Sequence, residues 1–379
     1  MPSLSQMVVD LKMSGIREIM DLSAEMNDVI HLEVGEPLFN TPPHITAAAL
    51  AAAEAGYTKY TPNKGLLSLR GSIVERLNSD YDIAFTTENV VVTVGGVGGI
   101  FTAVCALVDQ GDEVLIPDPG WPTYEMIIHC AGALYRRYPL DPERNFLPSV
   151  SSIEQLITTK TKILLLNTPS NPLGVVIPGA LLEELVDLAR RRDIYIISDE
   201  VYNKIVFDDK HVSALTFDTD ERVVGIFSFS KNYAMTGWRV GYAVASEAIT
   251  SQATKLQEAH VSCASSVSQK AAEAALLSSQ DCIETMRQTY RDNLVVAREV
   301  LDQFGFKYQI PRGAFYIWID VNSRDSAEFA KNFLTKNKVA VAPGTTFGPS
   351  GKSYIRISLA SDRESIREGL RRLGSFRHE

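Results

Sequence analysis

The residues best equipped for chemistry stand together in Ser228-Phe229-Ser230-Lys231-Asn232-Tyr233-Ala234-Met235-Thr236-Gly237-Trp238-Arg239. The strand-like run Val223-Val224-Gly225-Ile226-Phe227 precedes them, so Lys231 falls just past a strand end, where open α/β sheets place their ligands. Small hydroxyls, apolar side chains and an arginine crowd this lysine. Desolvation and a nearby like charge both lower a lysine's pKa, turning an ammonium into an amine able to form a Schiff base. Ser228, Ser230 and Arg239 make a cradle for a phosphate, with arginine supplying planar bidentate donors. Farther along, Arg356 sits between two isoleucines, a poor place for a cation without an anionic partner.

Strands and turns must bring these groups together. Val90 to Val94 reads as a buried strand, followed by the glycine turn Gly95-Gly96-Val97-Gly98-Gly99 and a helix from Ile100 to Val108. Strand, glycine turn and helix aim backbone N–H groups at a phosphate, although the spacing is not that of a dinucleotide fingerprint. Strand 113–116 runs into Pro117-Asp118-Pro119-Gly120-Trp121, where an aromatic on a rigid loop can stack on a flat heterocycle. Strand 163–166 leads to the turn Asn171-Pro172-Leu173-Gly174, and strand 194–198 delivers Asp199, Glu200 and Tyr202. Adjacent strand residues point to opposite faces, so only one of the two acids can serve one site. Upstream, Ser14 caps an amphipathic helix over 13–26, and strand 29–32 enters Val34-Gly35-Glu36-Pro37, where glycine lets backbone approach a ligand. Further helices are expected over 43–55, 153–157, 180–191, within 247–304 and over 326–336, and strands over 240–245, 313–320, 339–341 and 354–358. Residues 139–161 read as a surface excursion before their helix.

Composition limits the functional classes. The 379 residues are 45% hydrophobic and 22% charged, with acidic and basic residues interspersed and a net charge of −9. That describes a globular chain with a large core and argues against a nucleic-acid surface. No apolar run approaches a membrane span, and the opening MPSLSQMVVDLKMSG lacks the apolar core of a secretory signal. The four cysteines (Cys105, Cys130, Cys263, Cys282) have no framework spacing and are expected to be reduced in the cytoplasm. The six histidines show no metal spacing, and no metal is expected.

Ser-x-Ser-Lys followed by Ala-Met-Thr-Gly-Trp-Arg-Val-Gly-Tyr resembles the pyridoxal-phosphate lysine motif of the class I and II aminotransferases, the aspartate and aromatic aminotransferase group. The likeness extends from Gly35-Glu36-Pro37 to Arg356, with the motifs in family order. It implies an α/β protein of fold type I, with a large domain built on a mostly parallel sheet of the seven-stranded type and a small α+β domain from both chain ends. The divisions expected are 1–45, 46–280 and 281–379. It implies pyridoxal 5'-phosphate on Lys231, Asp199 against the pyridine nitrogen, and Asn171 and Tyr202 at the phenolic oxygen. Trp121 would stack on the ring, and Ser228, Ser230, Arg239 and the backbone of Gly96, Val97 and Gly98 would hold the phosphate. Arg356, Asn171 and Gly35 would receive the substrate carboxylate.

Tyr60, in a Tyr-x-x-x-x-Gly-x-x-x-Leu-Arg segment, would reach a neighbouring protomer's cofactor, which makes a homodimer with shared active sites the expectation. Lys231, Asp199 and Tyr202 are then the catalytic set of a ping-pong transfer from an L-amino acid to a 2-oxo acid. Val97 replaces a threonine, or a lysine that serves acidic substrates in some relatives, and so points toward neutral, apolar or aromatic donors; Ile16 would line that pocket. A lyase, decarboxylase or cyclising synthase on the same scaffold is the alternative. A sensor fused to a DNA-binding domain is not expected, because the first motif arrives by residue 34.

Overall fold

Runs such as Ile163-Leu164-Leu165-Leu166 are apolar on both faces, which suits strands covered by helices on either side. The computed structural model describes residues 2–11, 13–208 and 210–377. Its strands are β1 (Ile30–His31), β2 (Val90–Thr93), β3 (Glu113–Asp118), β4 (Leu134–Pro139), β5 (Thr161–Asn167), β6 (Tyr195–Asp199), β7 (Val223–Ser228), β8 (Gly241–Val244), β9 (Lys307–Gln309), β10 (Tyr316–Asp320), β11 (Val339–Ala340), β12 (Ala342–Pro343) and β13 (Tyr354–Ser358). The central sheet is seven-stranded, in the order β2-β8-β7-β6-β5-β3-β4. Only β8 runs against its neighbours. Side chains alternate across this sheet: Leu164 and Leu166 enter one core with Val92, Ile196 and Phe227, while Ile163 and Leu165 enter another with Ile116, Ile197 and Ile226.

A third core joins the two ends of the chain, with Ile19 and Leu32 packed among Tyr290, Phe315, Ile317, Phe333 and Leu370. Around it lie the antiparallel sheet β12-β13-β10-β9 and the pair β1-β11. No helix among the described residues is long and apolar enough to cross a membrane.

The helix near the N-terminus spans Gly15–Ala24 and starts as expected, with the Ile16 N–H donating to Ser14 Oγ at 3.3 Å. The glycine turn behaves differently: the helix begins at Gly95 itself and runs to Leu107. Gly95 takes φ +69°, which redirects the chain out of β2, and its neighbours then continue as the first helical turn. The stretch between β3 and residue 139, for which no element is expected, contains the helix Thr123–Cys130 and the edge strand β4. Among the residues of β4 only Tyr138 is buried, so no apolar run betrays the strand. The strand expected from Gly313 starts at Tyr316, because Ala314 has left-handed backbone at φ +55°. A further helix, Leu67–Tyr81, continues the Leu-Arg segment.

Candidate active site

Sheet register gathers the site. Asn167 ends β5 opposite Asp199 at the end of β6, Asp199 pairs with Ile226 of β7, and Ser228 pairs with Gly241, which also faces Thr93. The carboxyl ends of four parallel strands therefore open onto one cavity of about 330 Å³, as strand-end placement requires. Its wall includes Gly35, Gly96, Val97, Trp121, Asn171, Asp199, Tyr202, Ser228, Ser230, Lys231, Arg239 and Arg356. Two expected residues lie elsewhere. Gly98 is off the wall within the helix, its carbonyl accepting from Thr102 Oγ1 at 3.0 Å. Tyr60 is 88% exposed and away from this chain's own cavity.

Lys231 follows Ser228, whose Oγ caps the short helix Phe229–Asn232 by accepting from the Ser230 N–H. Its Nζ donates to the Gly35 carbonyl at 2.5 Å. Desolvation pulls the amine down to about 8; Glu36 opposes this, and Arg356 and Arg239 add to it. A substantial neutral fraction at ordinary pH follows. Asp199 sits across the cavity. Burial lifts its carboxyl to about 6, opposed by the Tyr124 hydroxyl, the Val201 N–H and Lys231. Tyr124 Oη donates to Asp199 Oδ2 at 2.6 Å, and its ring meets Trp121 edge-on with centroids 5.3 Å apart. Glu200 points away, as strand alternation requires, and its Oε1 accepts from Ser198, Ser213 and the Ala214 N–H.

At one end of the cavity, Arg239 adopts left-handed backbone at φ +50° and donates from Nη1 to the Thr236 carbonyl at 2.9 Å. Its Nη2 lies 2.6 Å from where a side-chain carbon on Gly95 would stand, so glycine is required there to admit the guanidinium to the helix start. At the opposite end, Arg356 comes from the middle of β13, paired with Trp318 and Ala342. Its Nη1 donates to Asn171 Oδ1 at 2.9 Å, its Nη2 to the Glu33 carbonyl, and its Nε is buried without a partner. The guanidinium lies 4.3 Å from the Tyr316 ring centroid and 5.1 Å from that of Phe347. The segment Asn167–Asn171 is held by its own hydrogen bonds, from the Asn171 N–H to Asn167 Oδ1 and from Asn167 Nδ2 to the Asp199 carbonyl.

Tyr124, Tyr316, Asn167 and Thr236 also line the cavity and were not singled out from sequence. For the two tyrosines a signal exists: a phenol in an otherwise apolar element needs a partner for its hydroxyl.

These residues fit pyridoxal phosphate. A desolvated amine faces a buried carboxylate across an aromatic wall, three cations converge on one cavity, and the helix starting at Gly95 offers free N–H groups beside Arg239 and Ser230.

Comparison with known proteins agrees. Residues 27–373 match the family "Aminotransferase class I and II". An aspartate aminotransferase of Pyrococcus horikoshii is 36% identical over 376 residues, covering 98% of this chain and 96% of the relative. The solved aspartate aminotransferase of Thermotoga maritima superimposes with a TM-score of 0.95 at 36% identity, covering 99% of this chain and all of that one. The solved aromatic aminotransferase of Pyrococcus horikoshii gives 0.89 at 34% identity, covering 95% and 98%. The chain belongs to the class I and II aminotransferases, pyridoxal-phosphate-dependent transaminases of fold type I.

Proposed function

We propose that this aminotransferase takes its amino group from neutral L-amino acids with apolar or aromatic side chains and gives it to a 2-oxo acid. The carrying observation is a count of cations. Lys231, Arg239 and Arg356 are the only lysine or arginine residues on the cavity wall among the described residues, and each has a task. Among the wall residues without such a task, Ile16, Met20, Val97 and Ile100 offer the donor's side chain an apolar surface. A second carboxylate against these would find no counter-charge from this chain.

Arg239, Ser228, Ser230 and the N–H groups of Gly96 and Val97 hold the cofactor phosphate. Trp121 would support the ring, Asp199 would keep a proton on the ring nitrogen, and Asn171 and Tyr202 would address the phenolic oxygen. Bound pyridoxal phosphate supplies an aldehyde that takes up the amino group and a ring that accepts electrons. Arg356 fixes the donor carboxylate with planar bidentate geometry, helped by Asn171 and the close backbone at Gly35. The Lys231 amine takes the α-proton at Nζ and returns it as the acid, a role suited to a group titrating near 8.

The same reading divides the chain into a cofactor domain over 46–280 and a small domain from 1–45 with 281–379. It makes the enzyme a cytoplasmic homodimer, in keeping with free cysteines and with exposed Leu50, Tyr57, Tyr60, Leu67 and Leu277 on and beside three helices that pack together. A donor panel with 2-oxoglutarate and pyruvate as acceptors tests the substrate class. Phenylalanine or leucine should exceed aspartate in kcat/KM by about tenfold or more. Aspartate or glutamate as the best donor would overturn it.

A further inference from the structure

Tyr316 begins β10, belongs to no motif, and touches three parts of the site at once. Its ring underlies the Arg356 guanidinium. Its hydroxyl lies 2.7 Å from the Tyr202 hydroxyl. The same hydroxyl stands 2.5 Å from where a side-chain carbon on Gly35 would be, so glycine there makes room for it. Each phenol carries one proton, so one hydroxyl of the pair donates and the other accepts. Burial pushes both phenols up, and the Arg356 charge opposes this on both. The guanidinium lies directly against the Tyr316 ring at 4.3 Å and is the leading opposing influence there, whereas on Tyr202 it ranks behind the neighbouring phenol, which adds to the rise. Tyr316 is thereby the better donor, which leaves the Tyr202 proton free to point into the cavity. Besides Arg356, the charged group acting on the pair is Asp199 from β6. Lys231 and Arg239 from the segment after β7 share the cavity wall with both phenols, Glu36 acts on Lys231, and Glu33 acts on Arg356.

We propose that Tyr316 is a positioning residue of the transamination site, its ring seating Arg356 and its hydroxyl donating to Tyr202 so that Tyr202 donates to the cofactor's phenolic oxygen. This rests on the roles given above to Arg356 and Tyr202, and it divides one side chain into two separable parts.

The test uses holoenzyme and two readouts: the pH midpoint of its visible absorption band, and the dissociation constant of an amine-free carboxylate such as 3-phenylpropionate. Tyr316→Phe keeps the ring and removes the hydroxyl. A weaker donor at Tyr202 stabilises negative charge on the phenolic oxygen less, so the midpoint should rise by about one pH unit. Carboxylate affinity should stay within about twofold, because the ring contact persists. Tyr316→Leu removes the ring as well and should weaken the carboxylate about tenfold. In a Tyr202→Phe background, Tyr316→Phe should add no further change in midpoint, the non-additivity expected of residues acting in series.

An unchanged or lowered midpoint in Tyr316→Phe, or a rise that persists without the Tyr202 hydroxyl, would overturn the proposal. If Arg356→Gln leaves carboxylate affinity intact, or Tyr202→Phe leaves the midpoint intact, the underlying roles fail and the proposal falls with them. If those two variants respond and the Tyr316 variants do not, the proposal alone falls.

Discussion

The two walls of the cavity are built by different means. On the central sheet, most site residues stand at or beyond strand ends, and several are fixed by hydrogen bonds close in sequence: Ser228 to Ser230, Asn167 to Asn171, Asp199 to Val201. On the antiparallel sheet, Arg356 and Tyr316 sit within or at the start of strands and are fixed by register and by ring packing. The first wall buries Lys231 and Asp199, and desolvation pushes each toward its neutral form. The second has already removed a guanidinium from water, and its backbone and amide partners offset only part of that cost. In the proposed reading, reacting groups belong to the first wall and substrate anchoring to the second.

The largest effect should come from the reacting wall. Lys231→Ala removes the group proposed to move the α-proton, and turnover should fall by about 10⁴-fold or more; steady-state assays showing full activity would break the assignment. Arg356→Gln challenges the anchoring wall. It should cost about 10²–10³-fold in kcat/KM, felt mainly as loss of substrate binding, because a desolvated charge pair is broken. If kcat falls instead with KM unchanged, the division of labour is wrong.

The titration of Lys231 sharpens the contrast further. Desolvation holds its amine near 8 instead of the usual 10.5. The rate at which apoenzyme captures pyridoxal phosphate should therefore rise about tenfold per pH unit below that value and level off above it. A rate still climbing beyond pH 9 would mean a hydrated lysine.

Glu200 should give the smallest effect on turnover, since it faces away from both walls. Burial raises its carboxyl to about 7 from 4.5. A raised folded-state pKa means this contribution to stability is fully present below 4.5 and is lost as pH rises through 7. Glu200→Gln should remove that loss, so the variant's Tm should decline less than wild type between about pH 5 and 7, with kcat within about twofold. A large loss of activity with Tm unmoved would place Glu200 in the site.

The first wall was readable from the sequence because its information is local. Lys231, Asp199, Asn171 and Trp121 each follow a recognisable strand, and a turn residue marks where the strand stops. Arg356 was readable for the opposite reason, as a cation in an apolar strand. Tyr316 was not, because Ala314-Phe315-Tyr316-Ile317-Trp318 reads as ordinary buried strand and its hydroxyl partner lies 114 positions away. Tyr124 hid in the same way inside a helix. The helical start at Gly95 was missed because glycines weaken helix propensity, and here the close approach of Arg239 outweighs that preference. Edge strand β4 escaped because one parallel neighbour and a wet outer side leave it no apolar pattern.

The most direct measurement is borohydride reduction of the holoenzyme, followed by peptide mapping by mass spectrometry. The cofactor should be fixed covalently to the peptide carrying Lys231 and to no other lysine. Attachment elsewhere, or no attachment to protein that has been given the aldehyde, would contradict the account.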